Sequence, residues 1–419
     1  MAKPKMALIP STVGGSVYSV LPSNGDGDFD FSRASAATRI NAQGLIETVA
    51  VGDNRLNYPL LDGTVQTCPH LLLESQRTNV VPYSESFSNV AWGKQAITIS
   101  QNVGISPDGT LNADKIIPSA VSTTHQIYDL SLISSQVCAT SVFAKADGIN
   151  TFEILDGASA TNGAAFDLSN GTFTNKGSGI GSMEYYGNGW YRCISVATTT
   201  GFRIYCPSSA GTATGDGTSG VYLWGAQLEE GSYPTSYIVS NSGSATTRIA
   251  EVCNGSGNAS TFNDSEGVLM AQISALKDPV DFNNWLTITG GTAANSVGIV
   301  FETTGAATAR IEVGGVGQAY LTTQVDYSNL IKVAFKYKEN DFAWWVNGIE
   351  VATDLSGVTF PSNTLNTFQF SYGAGGNNWV GKTKQLQYFD SALTDSELET
   401  LTSWMSFSDM AIDQEYSIQ

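Results

Sequence analysis

The sequence predicts an all-β protein. Two antiparallel β-sandwich (jelly-roll) domains follow an extended N-terminal segment, and one short helix lies near the C-terminus. Three observations carry this expectation. Apolar residues alternate with period two in run after run, as in Thr140-Ser141-Val142-Phe143-Ala144-Lys145 and Gly267-Val268-Leu269-Met270-Ala271-Gln272-Ile273. Asn-Gly and Asp-Gly pairs punctuate the runs at Asp108-Gly109, Asp147-Gly148, Asn170-Gly171, Asn188-Gly189 and Asn347-Gly348. Such pairs supply the positive φ angles that tight hairpins need. Charged residues make up only 14% of the 419 residues, too few to furnish long solvated helices.

Residues 1–78 are turn-rich, with short extended pieces such as Ser16–Leu21, Gly44–Val49 and Leu71–Leu73, and little independent fold is expected there. Strand-like runs fill 79–245, among them Gln95–Ser100, Trp190–Val196 and Val221–Trp224. Regular short strands with turns between them imply a sandwich or barrel. Residues 246–265 are rich in Gly, Ser and Asn and read as a linker. A second strand series runs through 266–419 and contains the hairpin Phe342–Val346, Asn347-Gly348, Ile349–Val351. Thr394 and Glu397 have the spacing of a capping box, and Leu398, Leu401 and Trp404 share one face of the helix that follows.

The net charge is −18, from 20 basic and 38 acidic residues. Phosphate binding needs clustered cations, so nucleic acid is not an expected partner. No run reaches the roughly 18 apolar residues of a membrane span, so membrane insertion is not expected. No apolar run of signal-peptide length follows Met-Ala-Lys-Pro-Lys, and export by a signal sequence is not expected. The five cysteines include no CxxC pair and are expected as free, mostly buried thiols.

Catalytic patterns are sparse. His70 and His125 are the two histidines, and His70 shares a strand face with Cys68 without an orienting partner. Glu302 and Glu312 stand apart from any second carboxylate of the kind glycoside hydrolysis needs. No catalytic residue and no cofactor are expected. Asn24-Gly-Asp26-Gly-Asp28-Phe-Asp30 alternates oxygens as calcium loops do, but the twelfth position is Ser35 rather than Glu. A flexible acidic turn is expected there, and a structural Ca²⁺ elsewhere in either sandwich stays open. Trp92, Trp190 and Trp224 read as core. Trp344 and Trp345 are adjacent and so face opposite ways on a strand. Trp379, with Asn377 and Asn378, falls in a Gly-rich loop and is the candidate ligand-binding group, a stacking ring beside amides. A packed loop is the alternative.

Three blocks carry a resemblance. The first is Phe29-Asp30-Phe31-Ser32-Arg33-Ala34-Ser35-Ala36-Ala37-Thr38-Arg39-Ile40, with Gly44-Leu45-Ile46-Glu47 and Leu71-Leu72-Leu73-Glu74-Ser75-Gln76-Arg77-Thr78-Asn79. It resembles the N-terminal region of phage and prophage head- or tail-fibre proteins. The second, Asn188–Arg192 with Leu223–Gly231 and Pro234–Ile238, resembles the carbohydrate-binding-module-like jelly roll that follows in those proteins. The third, Trp345-Val346-Asn347-Gly348 with Leu393-Thr394-Asp395-Ser396-Glu397-Leu398, is similar to concanavalin-A/laminin-G-like sandwiches.

The resemblance implies a structural component of a bacteriophage virion, assembled in the host cytoplasm and released by lysis. Residues 1–78 would attach to capsid, collar or tail proteins. The sandwiches would meet host-surface or environmental glycans as a homo-oligomer, a trimer by expectation. A virion decoration protein without glycan binding and a secreted glycan-degrading enzyme remain as alternatives. On this reading, removal of residues 1–30 leaves folded sandwiches that no longer attach.

Overall fold

In a computed structural model, the structure describes residues 2–9, 12–13, 16–208, 212–276, 284–373, 375–406 and 408–410. The fold is all-β, with antiparallel sheets packed as two sandwiches and the helix Asp395–Thr402 near the end.

The first sandwich packs two six-stranded sheets. One runs Gly93–Gln95, Gln126–Asp129, Phe202–Tyr205, Thr151–Asp156, Gly163–Asp167, Thr172–Lys176. The other runs Ile97–Ile105, Leu111–Pro118, Gly220–Glu230, Gln136–Asp147, Tyr191–Thr199, Ile180–Tyr185. Their inner faces enclose Phe87, Trp92, Val142, Phe152, Phe166 and Ile204. Asp108-Gly109 and Asn170-Gly171 turn hairpins here, as their sequence predicts.

The second sandwich departs from expectation. Its sheets have eight and nine strands, and the N-terminal region supplies strands to both. Met6–Leu8 pairs with Gly381–Phe389, Met6 lying opposite Tyr388. His70–Leu73 pairs with the other half of that strand, Leu71 opposite Thr383. In the facing sheet, Phe29–Ser32 pairs with Val252–Ser256, which in turn pairs with Thr367–Gln369. Residues 1–78 are therefore not an arm ahead of the sandwiches, and 246–265 is not a loose linker. Met6–Leu8, Phe29–Ser32 and His70–Leu73 satisfy backbone groups on strands far along the chain, whereas Ala37–Ile40 pairs locally with Ile46–Val49. Met6, Leu8, Val17, Phe29, Phe31, Leu71 and Leu73 join Leu269, Phe335, Trp344 and Tyr388 in one core.

The outer face of the eight-stranded sheet is half apolar. Val268, Met270, Ala334 and Trp345 lie under Leu398 and Leu401 of the helix. The capping box forms: Thr394 accepts from the Glu397 amide, and Glu397 accepts from the Thr394 amide. Trp344 points into the main core and Trp345 under the helix, as adjacent strand positions require. The hairpin at Asn347-Gly348 takes φ of 48° and 83°, the left-handed pair of a type I′ turn. Trp92, Trp190 and Trp224 are buried.

Among the described residues the five cysteines are free, with Cys68 exposed and the others buried. Burial pushes the Cys138 thiol up to about 11 and the Cys206 thiol up to about 12, which leaves both inert at neutral pH.

Candidate binding surfaces around a buried arginine–glutamate cluster

Five charged side chains meet where the N-terminal region crosses both sandwiches. Arg33, Arg55, Glu74, Arg248 and Glu251 are all buried, each at 4% exposure or less. Arg55 holds Glu251 bidentately, through Nε and through a second, very short contact at Nη2. It also reaches Glu74 Oε2 at 2.8 Å. Arg33 Nη1 donates to Glu251 Oε1 at 2.8 Å, and Arg248 Nη1 lies 2.8 Å from Glu74 Oε2. Ser236 adds its amide and hydroxyl to Glu74 at 2.9 and 2.6 Å. Buried charges survive only when paired and hydrogen-bonded in this way.

The electrostatics follow. Burial pushes the Glu74 carboxyl upward, but the Arg248 and Arg55 guanidinium groups and Ser236 outweigh it and hold it far below the usual carboxylate range. Neighbouring Glu229 goes the other way: burial raises it, and Thr235, Arg248 and Arg192 only partly offset this. The cluster gathers Arg33 and Glu74 from residues 29–79 and Ser236 from residues 234–238. The signal in the sequence was charge set in apolar strand text, as in Leu71-Leu72-Leu73-Glu74, yet no local rule pairs it with residues about 175 positions away.

Two hollows border this frame, and another lies on the outer face of the eight-stranded sheet. One is a junction cleft of about 310 Å³ between the N-terminal region and the first sandwich. Its walls include Asn57, Leu60, Tyr185, Tyr186 and Tyr237. Tyr185 is 37% exposed and its ring packs on Tyr191 at 4.8 Å. Arg39 is fixed by Glu47 at 2.6 Å. Three basic side chains (Arg39, Arg192, Lys382) and three acidic ones (Asp62, Glu74, Glu184) line the cleft, so it carries little net charge. The hairpin Leu60–Leu61/Thr64–Val65 forms one lip. Its Gly63 has φ 70°, and a Cβ there would sit 2.6 Å from the Gly187 nitrogen. That close approach, open only to glycine, brings the lip against the first sandwich.

The predicted ligand trio separates. Trp379 is 1% exposed, stands 5.3 Å from Phe301 ring to ring, and donates its amide to the Phe370 carbonyl at 2.8 Å. Its indole is core, which corrects the expectation of a surface stacking ring. The loop turns back on itself, Tyr372 donating its amide to the Gly376 carbonyl, and this carries the ring inward. Asn377 and Asn378 remain partly exposed and line a small hollow of about 200 Å³ beside Glu74 and Glu251. The third hollow, about 410 Å³, lies on the outer face of the eight-stranded sheet and includes His70.

The acidic turn at 24–30 spends its oxygens locally: Asn24 donates to Asp26 and Ser19 donates its amide to Asp28. Among the described residues, no group of three or more His, Cys, Asp or Glu is placed to hold a metal ion. None of the described helices is long and apolar enough to cross a membrane. His125 is spent on structure, its Nε2 lying 3.0 Å from the Ser119 carbonyl.

No protein family matches this chain, and no curated protein sequence matches it. Solved structures similar to part of it are lectin-like β-sandwiches. The Ruminococcus gnavus IT-sialidase CBM40 is 16% identical, over 36% of this chain and 94% of that one, with TM-score 0.30. The Streptococcus pneumoniae NanB sialidase is 15% identical over 35% of this chain, and the match spans only 25% of NanB, with TM-score 0.28. The heptameric SAP-like pentraxin of Limulus polyphemus is 15% identical over 34% and 71%, with TM-score 0.29. At such scores these likenesses set neither a ligand nor a chemistry for this chain.

Proposed function

We propose that the chain is a non-catalytic glycan-binding component of a bacteriophage particle, a head or tail fibre or spike. The observation that carries the binding part is the junction cleft. It combines an exposed tyrosine face, an amide and fixed charged groups in balanced number, the arrangement that suits hydroxyl-rich, uncharged sugars. The virion part rests on the fibre-like sequence blocks, whose Arg33, Glu74 and Ser236 meet in the cluster that joins the two sandwiches. A rigid body of this kind can present a weak site at the end of a particle, and repetition in a homo-oligomer raises its avidity. Attachment to capsid, collar or tail then falls to surfaces of the folded body rather than to a free N-terminal arm.

The test is a glycan array on the intact chain. Neutral oligosaccharides are expected to bind without release of reducing sugar. Tyr185→Ala is expected to weaken the strongest of them about tenfold, the loss of one aromatic contact, in a variant that circular dichroism shows to be folded. Binding that ignores the variant would remove the cleft from the account, and an array without hits would favour a decoration protein. Gold-labelled antibody against this chain should mark purified particles; unmarked particles would refute the virion reading.

A further inference from the structure

Residues 58–69 leave the eight-stranded sheet and return to it at the same place. They depart after Leu56–Asn57 and rejoin at His70–Leu73, and these two strands are paired, Asn57 opposite His70. Both ends of the excursion therefore stand side by side. Pro59 and Pro69 lie next to the two ends, and their fixed φ angles stiffen the roots. Between them, Leu60–Leu61 and Thr64–Val65 form a two-stranded ladder with each other. The Gln66 amide extends it by donating to the Pro59 carbonyl at 2.9 Å. A hairpin by itself is marginally stable at best, so what it leans on sets its position.

Its apolar side chains Leu60, Leu61 and Val65 are half-buried and belong to none of the hydrophobic cores of the described residues. Hollows lie on both of its sides. Leu60, Leu61 and Asp62 line the junction cleft, while Gln66, Thr67 and Cys68 line the hollow of about 410 Å³ on the outer face of the sheet. The tip reaches across to the first sandwich. A Cβ on Gly63 would sit 2.6 Å from the Gly187 nitrogen and 2.8 Å from Tyr185 Cδ1. Both glycines take positive φ, 70° and 80°. The tip thus rests against the ring that the cleft offers to a sugar.

We propose that residues 58–69 are a strap that opens and closes the junction cleft. Closed, the tip lies on Gly187 and Tyr185 and retains what occupies the cleft. Open, the strap turns about its paired root toward the hollow on the outer face of the sheet, and the Tyr185 ring and the cleft wall become accessible. Closures of this kind sequester a bound molecule and set its rate of release. As the regulation of a sugar site, the strap rests on the function proposed above. Its motion and its hold on the cleft are measured without a sugar.

Cys68 is exposed and the other four cysteines are buried, so Cys68→Ser gives a full-length parent without a reactive surface thiol. In that parent, nitroxide labels on Thr64→Cys at the tip and Ser182→Cys on the first sandwich, both exposed positions, report the gap by double electron–electron resonance. The parent is expected to give one short distance. Gly63→Ala leaves no room for the tip contact and is expected to move the distribution to longer distances. Gly187→Ala, whose Cβ would sit 3.0 Å from the Gly63 carbonyl oxygen, crowds the contact from the other side and should lengthen it less. It leaves the strap's own sequence intact, so a longer distance there is motion of the strap and not a broken hairpin. Access is read separately from a single cysteine, Ile40→Cys, in the cleft wall. An open state held at about a tenth or less in the parent becomes dominant in Gly63→Ala, so this thiol is expected to react with a maleimide about tenfold faster there. The strap is overturned if neither glycine variant, folded by circular dichroism, lengthens the distance. It is equally overturned if Ile40→Cys reacts at the parent's rate in a Gly63→Ala chain whose distance has lengthened. A glycan array without hits would remove the sugar and alter neither result.

Discussion

Removal of residues 2–32 is expected to unfold the second sandwich. The segment contributes Met6, Leu8, Val17, Phe29 and Phe31 to the main core, and truncating one such side chain costs about 2–5 kcal/mol. Losing five, about 10–25 kcal/mol, matches or exceeds the roughly 5–15 kcal/mol by which a typical domain is stable. The deletion also strips a partner from Val252–Ser256 and from half of Gly381–Phe389. Bare strand edges of that kind pair with other chains, so the truncated protein should aggregate. Calorimetry should show the loss of one transition, while the first sandwich, built from 93–230, keeps its own. A soluble truncated chain with both transitions intact would show that the N-terminal strands are dispensable.

Glu251→Ala is expected to cost about 3–5 kcal/mol, the penalty for stranding buried charge. Two guanidinium groups, Arg33 and Arg55, lose their shared carboxylate at once. The contrast is Glu47→Ala, which breaks the half-exposed pair with Arg39 and should cost no more than about 1 kcal/mol. Denaturant unfolding of both variants checks the difference; equal small losses would mean that the cluster is not a lock. Glu74 gives the same lock a pH signature. Its carboxyl is depressed in the folded state, so its contribution is complete above the ordinary glutamate range near pH 4.5. That contribution is lost as pH falls below this range. The stability gap between the parent and Glu74→Gln should therefore narrow in acid.

The sequence made the local order legible. Hairpins at Asp108-Gly109 and Asn347-Gly348, the capping box at Thr394 and Glu397, and the opposed Trp344 and Trp345 all follow from rules spanning a few residues. What it hid was long-range. Met6 pairs with Tyr388 through backbone groups that every residue carries, so no side-chain pattern announces the partner. Lys384 and Gln385, though adjacent, share the outer face only because of a slip in register, which depends on the neighbouring strand. Trp379 was misplaced for a related reason: a Gly-rich loop reads as open text, but its hydrogen bonds fold the ring inward.

The claim that the N-terminal region is part of the second sandwich, rather than an arm that orders only on attachment, is tested most directly by amide hydrogen exchange on the free protein. Peptides covering Met6–Leu8, Phe29–Ser32 and His70–Leu73 are predicted to be protected to the same degree as Glu266–Ala275. Exchange in these peptides as fast as in an unstructured chain, beside a protected Glu266–Ala275, would contradict it.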